Sequence, residues 1–108
     1  MEKYKVKVIF YKKDFAVYLS QLDLVRVFER ALRRTNLAVL FTQGFRPHLR
    51  LSFLSRALKV GEEGKIEVVF YFSERIDTYL VKEKLEKELP PGLEIVDIQA
   101  LNCDISEG

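Results

Sequence analysis

Apolar residues in this chain keep two different rhythms, and the order in which the rhythms alternate leaves few folds open. Residues 3–11 alternate strictly, with Tyr4, Val6, Val8 and Phe10 on one face and Lys3, Lys5 and Lys7 on the other, the pattern of a half-buried strand. From Ser20 the period becomes 3.6, and Leu24, Val25, Val27, Phe28, Ala31 and Leu32 form one stripe of an amphipathic helix. Ser20 can cap that helix, Asp23 at the third helical position completes a capping-box-like pair, and Asn36 supplies a stop. A short strand is predicted over Ala38 to Thr42, followed by a clear one over Lys65 to Phe72, with Ile66, Val68, Phe70 and Phe72 on one face. A second helix is predicted from Asp77 to Leu89, where Pro90-Pro91-Gly92 ends it, and a last strand from Leu93 to Leu101. The resulting order, β-α-β-β-α-β, predicts an α+β fold: a ferredoxin-like sandwich with both helices on one face of an antiparallel sheet. It is expected to form a single domain over residues 1–101, with 102–108 as a polar tail.

One interval does not fit the minimal pattern. Residues 43–64 separate the second and third predicted strands, where a hairpin needs only two to five residues. Connections of that length usually carry function or structure of their own. Leu49, Leu51 and Phe53 alternate with Arg50 and Ser52, so part of the insertion has the character of a strand, and Gly61 and Gly64 around two glutamates suit a turn.

Charge is distributed unevenly about that insertion. Residues 1–59 hold 13 Lys or Arg against 4 Asp or Glu, whereas residues 60–108 hold 5 against 12. These are net charges of +9 and −7, which sum to the chain's +2, and seven of the eight arginines lie between Arg26 and Arg56. Such segregation either presents a cationic surface to an anionic partner or lets the two halves attract one another within the fold.

At about 100° per residue, Arg26, Arg30 and Arg33 share a narrow arc of the first helix opposite its apolar stripe, with Arg34 a little further round. Neighbours on such a face stand about 5–6 Å apart, a spacing on the scale of successive phosphates, and guanidinium is the cation suited to bidentate phosphate contact. The alternative is a solvated face partly neutralised by Asp23 and Glu29. The segment Gln43-Gly44-Phe45-Arg46-Pro47-His48-Leu49-Arg50 adds an aromatic ring, two cations and an imidazole, with Gly44 allowing close backbone approach and Pro47 setting a turn. Single-strand nucleic-acid binders combine stacking rings with phosphate-holding cations in this way. Phe45 is thus a stacking candidate or else a core anchor for the loop.

Catalytic chemistry has little to draw on. One histidine and one cysteine, Cys103, do not make a zinc site of the usual kind, and there is no iron–sulfur cysteine cluster, phosphate-cradling glycine loop or nucleophile elbow. No cofactor or metal is expected. Any intrinsic activity would fall to His48, with Asp23 as its companion, although helix capping explains Asp23 and Ser20 equally well. The single cysteine, the absence of a signal-like leader and the absence of any run near 20 apolar residues lead to the expectation of a cytoplasmic protein away from membranes.

The runs YLSQLDLVRVFERALRRTNL and FTQGFRPHLRLSF resemble the radical-SAM-linked domain family of unknown function, whose pattern reads approximately FLSHLDL, then ERALRRA, then QGFNPHPRLSF. The likeness covers nearly the whole chain and is carried by Ser20, Leu22, Asp23, Glu29, Arg30, Arg33, Arg34, Gln43, Gly44, Phe45, Pro47, His48, Arg50, Ser52 and Phe53. Gln21, Arg46 and Leu49 depart from it, standing where His, Asn and Pro are common, and Gln21 cannot titrate near neutrality as a histidine would. Members of that family occur alone or fused behind a cobalamin-type radical SAM protein. The resemblance therefore implies the stand-alone form, with a radical SAM enzyme as a separate partner. A fainter likeness, in the GF-x-P-type segment and the expected fold, is to CRISPR repeat-processing endoribonucleases.

The leading expectation is a non-catalytic RNA-binding accessory module. Arg26, Arg30, Arg33, Arg34, Arg46 and Arg50 would hold phosphate, Phe45 would stack, and Gln43 and His48 would hydrogen-bond a base or ribose. Ser20, Asp23, Gly44, Pro47 and Ser52 would serve the local structure. The alternatives are a protein–protein adaptor docking on a radical SAM subunit through the arginine face, and a metal-independent ribonuclease using His48. The edge strands of such a sheet would also permit a homodimer. Asp23, Arg26 and His48 are expected to converge if the helix and the loop are halves of one site.

Overall fold

In a computed structural model, which describes residues 4–101, the alternating segments become a four-stranded antiparallel sheet of order β2-β3-β1-β4. Its strands are β1 (Tyr4–Lys12), β2 (Leu51–Phe53), β3 (Gly64–Phe72) and β4 (Leu93–Ala100), and its helices are α1 (Gln21–Thr35) and α2 (Thr78–Glu86). A short 3-10 turn, Asp14–Tyr18, precedes α1. Strands β1 and β3 form the centre, in register from Tyr4 opposite Phe72 to Lys12 opposite Gly64. This is the ferredoxin-like sandwich that the order of elements predicts. Lys3, Cys103 and the tail 102–108 lie outside the described residues.

The period-2 pattern sorts the sheet into two unlike faces. Val6, Val8 and Phe10 of β1 and Ile66, Val68, Phe70 and Phe72 of β3 face the helices and are buried with Leu24, Phe28, Ala31 and Leu32 of α1 and Val81 and Leu85 of α2. At the centre Phe28 stacks on Phe10 with centroids 4.6 Å apart, and Phe70 meets both rings edge-on at 6.2 and 5.6 Å. Lys12 completes the buried row of β1, where the alternation places it although its charge argues against burial. It is 1% exposed, and its ammonium donates to the Leu19 carbonyl at 2.7 Å. Desolvation lowers its pKa, partly offset by Glu62 and Asp23.

Helix α1 begins and ends where its caps direct. The Asp23 amide donates to Ser20 Oγ at 3.1 Å, the Ser20 amide donates to Asp23 Oδ2 at 2.9 Å, and Asn36 is left-handed at φ 61°. Helix α2 is shorter than predicted: Asp77 is its N-cap, and the last turn before Pro90-Pro91-Gly92 is not helical.

The second strand differs from its expected place. Ala38–Thr42 contributes only isolated bridges, Val39 opposite Phe72 and Phe41 opposite Leu49, while Leu51–Phe53 forms β2 proper, opposite Phe70 to Val68. Both pieces lie antiparallel along the same edge of β3, and residues 40–50 leave that edge and return to it as a finger. The physical reason is competition for one row of β3 backbone groups. Leu40 N donates to Tyr71 O (2.8 Å) before the excursion, and Leu54 N donates to Glu67 O (2.8 Å) after it. Beyond β2, Arg56 and the Lys59 amide both bind Glu62, holding its carboxyl down to about 2, and Gly61 N donates to Val17 O. None of the helices among the described residues is long and apolar enough to cross a membrane.

Candidate functional site

The finger is closed at two levels. At its base Arg50 N donates to Leu40 O at 3.0 Å; nearer the tip Thr42 N donates to His48 O at 2.7 Å while His48 N donates to Thr42 Oγ1 at 3.0 Å. Five residues, Gln43 to Pro47, form the tip, and Gly44 takes φ 128°, which residues with a Cβ rarely adopt. Leu49 anchors the finger in the core at 5% exposure, whereas Phe45 is 100% exposed. Of the two readings of Phe45, the core anchor is therefore replaced by an unpacked ring held out on a braced loop. Gln43, Arg46 and His48 are exposed beside it.

Two cation–ring contacts fix the base of the finger from opposite sides. Arg33 of α1 lies over Phe41, 4.6 Å from the ring centroid, and Arg50 lies over Tyr71 of β3, 5.3 Å from the centroid. Tyr71 in turn shares a 2.9 Å hydrogen bond with Ser52 Oγ, so this motif serine sets the ring's orientation. The finger thus stands between the helix layer, on one side, and the sheet face without helices, on the other.

The arginines of α1 are exposed, as their arc predicts, but they are not equivalent. Arg33 pairs with Glu29 at 3.0 Å and Arg34 approaches Glu88 at 3.7 Å. Arg26 neighbours Asp23, whose carboxyl is held low first by the Ser20 amide and hydroxyl and then by Arg26. Arg30 has no partner among the described residues, and with Arg26, Glu29 and Arg33 it lines a shallow groove on the helix surface. Three of the ion pairs, Arg34–Glu88, Arg56–Glu62 and Lys13–Glu94, join the cationic half of the chain to the anionic half. Internal pairing therefore absorbs part of the segregated charge, and among the described residues it leaves Arg26, Arg30 and Arg46 outside the ion pairs.

The convergence expected of Asp23, Arg26 and His48 takes a different form. Contact between helix and finger runs through Arg33, near the end of α1, while Asp23 sits at its start, ten residues or about 15 Å away along the axis. Asp23 is engaged in the capping box and electrostatically with Arg26 and Lys12, and His48 contributes its backbone to the Thr42 brace. Two separate groups form at the base of the finger, Arg33 with Phe41 on the helix side and Arg50 with Tyr71 and Ser52 on the other face, and the Gln43–Pro47 tip extends beyond both. Gln21 is exposed on the first turn of α1, at the end of the helix away from Arg33.

Phe41, Thr42 and Tyr71 were not among the residues that motif reading singles out. Tyr71 carried a usable signal, because the alternation of β3 places it with Lys65, Glu67 and Val69 opposite the core. Thr42 and Phe41 carried none, since their partners lie across a closure that only the folded chain makes. Among the described residues no group of three or more His, Cys, Asp or Glu side chains is placed to hold a metal ion.

A family model described as an uncharacterized protein conserved in bacteria, DUF2344, matches residues 5–107. No curated protein and no solved structure matches the chain.

Proposed function

We propose, on the premise that this chain belongs to the DUF2344 family of proteins conserved in bacteria, that it is an RNA-binding accessory module. The observation that carries the reading is Phe45: a fully exposed phenyl ring, next to Arg46, on a doubly braced finger whose base contacts Arg33 of α1. An unpacked ring in water contributes nothing to the fold, whereas every base offers a face on which it can stack. Arg26, Arg30, Arg33 and Arg46 supply phosphate contacts, with Arg34 and Arg50 flanking them, and Gln43 and His48 offer hydrogen bonds to a base or ribose. The resemblance of the two motifs to the radical-SAM-linked family suggests that a radical SAM enzyme on another polypeptide acts on the bound RNA.

Anisotropy of a labelled RNA measured from 50 to 300 mM salt tests the reading. Four phosphate contacts give a log–log slope near −3, at about 0.7 per single-stranded phosphate. Absence of binding at low salt, or a flat slope, refutes it.

A second reading, an adaptor that docks on the radical SAM subunit, is favoured by a separate feature. Phe15 and Tyr18, 87% and 65% exposed, line an apolar hollow with Pro91 at the start of α1, remote from the finger. Co-purification of that subunit after nuclease treatment, lost on Phe15→Ser with Tyr18→Ser, distinguishes it.

A further inference from the structure

Both helices cover one face of the sheet, and the other face is spanned by no described element. Its side chains follow from the register: Lys5, Lys7, Ile9 and Tyr11 of β1; Lys65, Glu67, Val69 and Tyr71 of β3; Ser52 of β2; Asp97 and Gln99 of β4. These residues are not mixed at random. At the end from which the finger leaves, Lys5 stands opposite Tyr71 and Lys7 opposite Val69, with Ser52 beyond Val69 and Arg50 over the Tyr71 ring. Toward the other end acidic groups outnumber basic ones: Ile9 is flanked by Glu67 and Asp97, Tyr11 donates to Glu63 at 2.6 Å and stands opposite Lys65, and Glu94 pairs with Lys13. At one corner of this face two lysines outside the described ion pairs and an aromatic ring set by a hydrogen bond flank Val69, which is 4% exposed. That corner is continuous with the finger.

We propose that this corner is a second segment of the nucleic-acid site, over which a single strand leaving the finger crosses the β2 edge onto the uncovered sheet face. Lys5 and Lys7 hold its phosphates, and a base stacks against the Tyr71–Arg50 pair. Three features favour a single strand over an acidic protein segment. The two ammonium groups lie two residues apart on one strand, about 7 Å along it, in line with a backbone of regularly spaced charges. The ring beside them suits a base, which stacks without regard to sequence. The far end, with four carboxylates against Lys13 and Lys65, is net acidic and favours keeping a polyanion at the finger end. The inference rests on the RNA-binding reading, because it extends the track that begins at Phe45.

The experiment measures anisotropy of a labelled 12-nucleotide single-stranded RNA across the same salt series, with polyglutamate as the competing polyanion. The Lys5→Gln, Lys7→Gln double variant is expected to lower the magnitude of the salt slope by about 1.4, from about 4.2 for six phosphate contacts to about 2.8 for the four of the finger site, at about 0.7 each. Tyr71→Ala is expected to weaken binding about five- to a hundred-fold, while Tyr71→Phe, which keeps the ring but loses the Ser52 hydrogen bond that sets it, should fall between Tyr71→Ala and the parent. Circular dichroism confirms that each variant is folded, and the lysine pair, on the surface, tests the idea even if Tyr71→Ala does not fold. Parental binding and slope in the lysine variant, with Phe45→Ala and Arg46→Gln still impaired, overturn this inference and leave the finger site standing. Binding absent from the parent at low salt overturns both. Polyglutamate displacing RNA through Lys5 and Lys7 at equal charge concentration overturns the nucleic-acid assignment in favour of an acidic protein.

Discussion

Replacing Phe45 by alanine separates the functional from the structural meaning of the finger. The side chain is 100% exposed, so its removal deletes no buried area, leaves no cavity and breaks no described contact. Its expected effect on stability is within about 0.5 kcal/mol, the range of ordinary surface changes. Binding is a different matter. A phenylalanine carries on the order of 150–250 Å² of burial potential, and covering roughly a third of it by a stacked base removes about 50–80 Å². At about 25 cal/mol per Å² that is about 1.3–2 kcal/mol, inside the about 1–3 kcal/mol typical of base–aromatic stacking. Phe45→Ala should therefore raise the Kd for single-stranded RNA about ten- to thirtyfold without moving the urea midpoint, and without changing the salt slope, since no charge is lost. Urea denaturation and anisotropy on the same preparation give both numbers. A stability loss above about 1 kcal/mol would mean that the ring packs in solution, and unchanged affinity would mean that it faces no base; either refutes the reasoning.

Other perturbations probe the frame that holds the finger. Phe28→Ala removes the ring between Phe10 and Phe70, and should cost about 3–5 kcal/mol by urea denaturation. Gly92 has φ 95°, and a Cβ there would meet Lys13 O at 2.5 Å and the Ala16 Cβ at 2.7 Å, so Gly92→Ala should destabilise by about 2–4 kcal/mol through strain and overpacking together. Burial depresses the pKa of Lys12, which disfavours its charged form in the fold. Stability relative to Lys12→Met should therefore be lowest below the depressed value and rise as pH climbs through it toward the unfolded value near 10.4; a relative fall in the urea midpoint over that range would contradict the assignment. The Asp23 carboxyl is depressed by the Ser20 amide and hydroxyl, so the stability it contributes is present above the unfolded value near 3.9 and disappears as pH falls through the lower folded one. Asp23→Asn should flatten that acid limb while RNA affinity stays at the parental level.

Local chemistry was sufficient to read much of this protein. The alternation of Tyr4 to Phe10 and of Ile66 to Phe72, the stripe from Leu24 to Leu32 and the Ser20–Asp23 box are short-range facts, and each reappears in the fold because side-chain periodicity and capping act within a few residues. The arc of Arg26, Arg30 and Arg33 was legible for the same reason, since one helix sets it. What tertiary structure alone decided is where long-range pairing intervenes. Two segments, at Val39 and at Leu51–Phe53, compete for a single edge of β3, and the residues between them are extruded as the finger, an outcome that depends on which β3 backbone groups are already taken. The same closure puts Arg33 rather than Asp23 beside the finger, and leaves Phe45 in water although its hydrophobicity argued equally for the core. Tertiary structure also decides the burial of Lys12 at the opposite end of β1, because the pleat assigns the face and the Leu19 carbonyl, brought near by the turn at Asp14–Tyr18, supplies the hydrogen bond that makes burial tolerable.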